Sequence, residues 1–95
     1  MIVELTAEAA HEAIEAALGY ENEREGLGVR FEEQLDVLFE RVAANPAQFP
    51  RVSGGAQRAL MRVFPYAVYF IVHEERARVF AILHQHREPG TWRNR

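Results

Sequence analysis

The clearest pattern in the chain lies between residues 31 and 42. Phe31, Leu35, Leu38, Phe39 and Val42 recur at i, i+4, i+7, i+8 and i+11, the spacing of one face of a helix. This predicts a helix over about Val29 to Ala44, which Asn45-Pro46 stops. Upstream, a first helix is expected over Ala7 to Arg24, with Thr6 as its N-cap and Glu8 in its first turn. Its inner stripe reads as Ala10, Ala13, Ile14, Ala17, Leu18 and Tyr20, with Glu8, Glu12 and Glu15 on a solvated side. Gly26-Leu27-Gly28 separates the two, and glycine reaches the left-handed conformations that let one helix end and the next begin at a sharp angle. A helical hairpin is therefore expected. Met1 to Leu5, ahead of it, is β-branched enough for a short strand.

After Gly55 the period changes from 3.6 to 2. Residues 45–55 hold Pro46, Pro50, Gly54 and Gly55 and read as a loop pinned to the core by Phe49. Three strands follow, Gln57 to Phe64, Tyr66 to His73 and Arg76 to Gln85, with Glu74-Glu75 as the turn between the last two. The order β-α-α-β-β-β gives an α+β class: a helical hairpin packed on one face of a mainly antiparallel four-stranded sheet. One small domain over residues 1–95 accounts for the whole pattern.

The last two strands are apolar on both faces. Strict alternation puts Tyr66, Val68, Phe70 and Val72 on one side and Ala67, Tyr69, Ile71 and His73 on the other. In the next strand it sets Ala77, Val79, Ala81 and Leu83 against Phe80 and Ile82. Two helices cover one face only. The other needs the segment around Trp92, a second copy of the chain or a different protein to cover it.

Charge sharpens this picture. Residues 1–50 carry eleven acids and three arginines, a balance of −8, while residues 51–95 carry eight arginines and three acids, a balance of +5. The molecule is thus expected to be bipolar, with a basic half that suits phosphates or an acidic protein partner. All eleven basic residues are arginine, which favours planar bidentate pairing with carboxylate or phosphate. The absence of cysteine removes disulfides, thiolate metal sites and cysteine nucleophiles. No apolar run is long enough to cross a bilayer, and Met1 to Leu5 carries no export signal, so no membrane is expected as a partner and the location is read as cytoplasmic.

Four stretches in this order carry a resemblance: Gly26-Leu27-Gly28 between the helices, Asn45-Pro46-Ala47-Gln48-Phe49-Pro50 after the second, Arg62-Val63-Phe64-Pro65-Tyr66-Ala67-Val68-Tyr69, and Leu83-His84-Gln85-His86-Arg87-Glu88-Pro89. Together they resemble the ParE/RelE toxin superfamily, nearest its plasmid-stabilisation, ParE-like branch. The resemblance implies the toxin of a type II toxin–antitoxin system, neutralised by a cognate antitoxin with an acidic, amphipathic C-terminal segment. The superfamily holds two mechanisms. RelE-like members cut messenger RNA on the ribosome, and ParE-like members act on DNA gyrase without being nucleases. Where RelE-like strands often read Tyr-Arg-x-x-Tyr, this chain has Tyr66-Ala67-Val68-Tyr69, and the position of one branch's catalytic tyrosine falls at best on Trp92, which has no hydroxyl. Arg87 alone carries over cleanly. The departures point to a non-enzymatic, gyrase-directed toxin, with a metal-independent endoribonuclease as the first alternative and a non-toxic interaction module as the second.

Candidate residues follow from these readings. A nuclease would use Arg58, Arg62 and Arg87 as phosphate ligands and His84 or His86 as general acid or base, because imidazole titrates near neutrality and guanidinium matches the charge of a phosphoryl transition state. Arg58 and Arg62, four apart in the predicted strand, are expected to share its face. Alternatively, His84 bonds a neighbouring backbone group at the end of its strand. Antitoxin or target binding is assigned to Arg62, Tyr69, Phe80, His86, Arg87 and Trp92. No cofactor is expected, and His84-x-His86 lacks the further ligands a metal site needs. Without antitoxin, a homodimer through the uncovered sheet face is the expected assembly.

Overall fold

The computed structural model describes residues 1–87 and 90–95, so Glu88 and Pro89 of the closing motif lie outside the described residues. The elements run β1 (Ile2–Leu5), α1 (Ala7–Glu23), α2 (Leu27–Ala44), β2 (Gln57–Leu60), β3 (Tyr66–His73) and β4 (Arg76–His84), with short 3-10 turns at Pro46–Gln48, Ser53–Gly55 and Thr91–Asn94. The four strands form a mixed sheet in the order β1-β4-β3-β2. β1 lies parallel to β4, and the other two pairings are antiparallel. This is the α+β arrangement expected from the sequence.

The Thr6 side chain accepts a hydrogen bond from the Ala9 N–H and starts α1. At the other end of α1 the Glu21 carboxylate accepts from the backbone N–H groups of Gly26 and Gly28, each at 2.9 Å. One side chain therefore ties the end of the first helix to the first turn of the second. Gly26, at φ 88°, makes the corner between them. At Gly28 the helices approach so closely that an added Cβ would stand 2.5 Å from the Ala17 carbonyl oxygen.

That close approach explains a difference from the sequence reading. The buried stripe of α1 is Ala9, Ala16 and Ala17, with Ala13 and Tyr20 packed partly against the core. Its spacing repeats that of Phe31, Leu35, Leu38, Phe39 and Val42 on α2. A helix pressed this tightly against its neighbour has room only for alanine at the contact. Ile14 and Leu18, expected inside, are turned to solvent.

Two clusters sandwich the sheet. The larger lies under the helices and includes Phe31, Val42, Val68, Phe70, Val79 and Ile82. Tyr20, Phe31, Phe64 and Tyr66 form an edge-packed aromatic group in it, with ring centroids 4.7 to 6.1 Å apart. Phe49 meets Phe70 edge-on and pins the loop, as the sequence suggested. The buried Gln57 amide donates to the carbonyls of Pro46 and Phe49 in that loop. The smaller cluster, Ala56, Ala67, Tyr69, Ala81, Leu83 and Trp92, lies on the opposite face.

Strict alternation fails in β4. Tyr69 pairs with Ala81 but Phe70 pairs with Val79, so Phe80 is an extra residue in a β-bulge. Beyond it the faces exchange. Ala77, Val79 and Ile82 belong to the helix-side cluster, whereas Phe80, Ala81 and Leu83 join the other. β2 is also shorter than expected. It stops at Leu60, and the chain then folds back through bonds from Met61 N–H to the Tyr66 carbonyl and from Tyr66 N–H to the Phe64 carbonyl.

Candidate functional site

The register of β2 on β3 sets Arg58 opposite Tyr69 and Leu60 opposite Ala67, so all four point to the face away from the helices. Gly90, at φ 80°, starts the turn that carries Trp92 back over this face. The indole stacks on the Tyr69 ring at 4.8 Å and 19°, and the Arg93 guanidinium lies 5.4 Å from the indole centroid. Arg58, Leu60, Tyr69, Trp92 and Arg93 border a hollow of about 510 Å³. The Nε–H of Arg58 is buried beside it and has no hydrogen-bond partner among the described residues. A buried donor in that state is stabilised by any acceptor that reaches it, and guanidinium prefers carboxylate or phosphate. The chemistry on offer is therefore two cations, an aromatic wall and apolar Leu60.

The segment over this face is anchored at Arg95. Its guanidinium pairs with Glu8 at 3.1 Å and Glu12 at 2.5 Å on α1 and donates to the Phe80 carbonyl at 3.1 Å. Glu12 also accepts from the Ile82 N–H at 2.9 Å. The β4 edge that β1 leaves unpaired is thus satisfied by one carboxylate and one guanidinium. Glu12, expected on a solvated side, is only 16% exposed at its side chain. Nothing in helical periodicity marks a glutamate that reaches across to a strand edge.

The five candidates for nuclease chemistry fall in three places: Arg58, Arg62, and the turn that holds His84, His86 and Arg87. Arg58 lies on the face beneath Trp92. Arg62 does not share a strand face with it, because β2 has already ended; it stands beside Val37 and Arg41 of α2. His84 lies on the helix side, its ring 5.3 Å from that of Tyr66. Its Nδ1 accepts from the backbone N–H groups of His86 at 3.1 Å and Arg87 at 3.2 Å, so this nitrogen is unprotonated and occupied by the turn. His86 is exposed, with its ring 5.8 Å from that of His84. Arg87 turns toward α1, in a groove of about 160 Å³ with Glu15, Tyr20, Glu23 and Tyr66. Burial raises the Tyr20 hydroxyl above its ordinary pKa; nearby Tyr66 adds to this and Arg87 opposes it.

Of the residues assigned to partner binding, Tyr69, Phe80 and Trp92 meet on the face away from the helices, while Arg62, His86 and Arg87 lie elsewhere. Sequence reasoning missed Arg93 and Arg95, whose only signal was membership of an all-arginine basic set. Among the described residues no cluster of three histidines or carboxylates is placed to hold a metal, and no helix is long and apolar enough to cross a membrane.

No protein-family model matches the sequence, and no curated protein matches it. Among solved structures, the chain is similar to one described as "Chromosomal ParDE TA system from P. aeruginosa". The two superpose with a TM-score of 0.78 at 14% identity, over 88% of this chain and 95% of that one. The fold is therefore ParE-like, in agreement with the order of motifs in the sequence.

Proposed function

We propose that this chain is the toxin of a type II toxin–antitoxin pair, a single cytoplasmic domain that a cognate antitoxin neutralises. The observation that carries this reading is the fold shared over nearly the whole chain with a ParDE toxin–antitoxin structure. The face bordered by Arg58, Tyr69, Trp92 and Arg93 supports it. An acidic amphipathic antitoxin segment would place carboxylates against the guanidiniums, including the Arg58 Nε–H that has no partner among the described residues, and apolar anchors against Leu60 and the half-buried Phe80. Without antitoxin, a second copy would be the alternative cover for the same face.

The gyrase-directed, non-enzymatic mechanism is the finer part of the proposal. It draws support from the separation of Arg58 and Arg62 from each other and from the turn that holds His84, His86 and Arg87, since in-line phosphoryl chemistry needs its acid, base and cations around one phosphate. Induction of the chain in bacteria is the test. Filamentation with an SOS response is the expected result, prompt loss of messenger RNA would replace gyrase by ribosome-bound mRNA as the target, and unimpaired growth would overturn the toxin reading.

A further inference from the structure

Ile14 and Leu18 are 57% and 55% exposed. Four residues apart on α1, they stand one above the other on a single face. Ile14 forms one wall of a groove of about 270 Å³ between the helices, with Leu35 and Phe39 lining it and Glu32 and Asp36 on the α2 side. A single exposed aliphatic is ordinary on a protein surface, but here Leu18 adjoins an Ile14 that itself walls a groove lined by Leu35 and Phe39, and such a continuous apolar strip marks a place for another molecule.

Charge selects the occupant. The groove belongs to the half of the chain with a balance of −8, and neither Glu32 nor Asp36 has a cationic partner among the described residues. A second copy offering the same hairpin would set these acids against each other. The acidic segment proposed for the arginine face is repelled here for the same reason. We infer that the outer groove of the helical hairpin docks a cationic amphipathic helix of a partner protein, with apolar anchors along Ile14, Leu18, Leu35 and Phe39 and arginine or lysine at Glu32 and Asp36. The sheet lies between this groove and the arginine face. Both can be filled at once, so the molecule joins two partners of opposite charge.

The test needs only the isolated chain and does not depend on its toxicity. A fluorescent leucine–lysine amphipathic peptide of about four helical turns, with a leucine–glutamate peptide as control, is titrated by anisotropy at about 0.15 M salt. Binding of the cationic probe is expected to weaken about tenfold or more in Ile14→Ser/Leu18→Ser and in Glu32→Gln/Asp36→Asn, a shift of at least ~1.4 kcal/mol. Leu60→Ser/Ile71→Ser, on the other side of the sheet, should leave it unchanged. All four hairpin residues substituted are on the surface, and unchanged melting will show that the variants are folded. Equal affinity of wild type and Ile14→Ser/Leu18→Ser, no binding of the cationic probe to wild type, or tighter binding of the anionic probe at the groove would each overturn the inference.

Discussion

On the helix side of the sheet, Phe31, Val42, Val68, Phe70 and Val79 are fully excluded from water by neighbours drawn from α1, α2 and all four strands. On the other side, Tyr69 and its alanine neighbours lie beneath one indole, carried by a turn that a single arginine anchors. The difference is one of redundancy. Each residue of the first cluster is enclosed by many others, so a deletion leaves a cavity inside a structure that stays closed. Removing the indole from the second uncovers a face. Interaction surfaces are drawn from regions of this second kind, where few contacts must be given up to admit a partner.

Substitutions should expose that asymmetry. The largest effect is expected from Phe31→Ala, which empties the centre of the aromatic group with Tyr20, Phe64 and Tyr66 and should cost about 3–5 kcal/mol in chemical denaturation. Trp92→Ala should cost less, about 1–2 kcal/mol, because much of its contribution is one stacked pair on a short segment. It should nevertheless be the variant that binds an apolar dye while still folded. Dye binding by folded Phe31→Ala and not by Trp92→Ala would reverse the comparison.

Arg95→Ala should cost no more than about 1 kcal/mol. Its mark should be local: Trp92 is the only tryptophan, so a red-shifted, more readily quenched emission with little change in melting would show the strap released from α1. Unchanged emission would mean that the Tyr69 stack holds the segment unaided. The smallest effect belongs to Glu21, whose carboxyl is held below its usual pKa by hydrogen bonds from the backbone N–H of Gly26 and then Gly28. A depressed carboxylate stabilises the fold above its unfolded-state pKa, and that contribution fades as pH falls through the lower folded-state value. Glu21→Ala should therefore melt earlier than wild type at neutral pH and converge with it in strong acid.

Much of the fold was legible because several levels of the sequence agreed. The stripe from Phe31 to Val42, the Asn45-Pro46 stop and the double glycine all pointed to one hairpin, and the motif order pointed to a ParE-like fold. The failures have local causes. Large aliphatics drew the reading of α1 toward Ile14 and Leu18, whereas close helix contact selects alanine, and the clue lay in Gly28 on the other helix. The Phe80 bulge interrupts an otherwise regular strand with no glycine to signal it. Arg58 and Arg62 looked paired only while β2 was read through to Phe64. The roof over the basic face was half legible: Trp92 was suspected, but the Arg95 clamp spans most of the sequence and no local pattern encodes it.

The pairing of β1 with β4 has a kinetic consequence. Ile2–Leu5 leaves the ribosome well before its parallel partner Arg76–Val79, with both helices and two strands made in between. The helical hairpin is local and can assemble early, but closing this pairing requires everything between the two strands to be looped out first. A chain that stops before β4 lacks Phe80 and Trp92 themselves and leaves Tyr69 on an unfinished sheet. The face away from the helices is therefore completed only when β4 has joined the sheet.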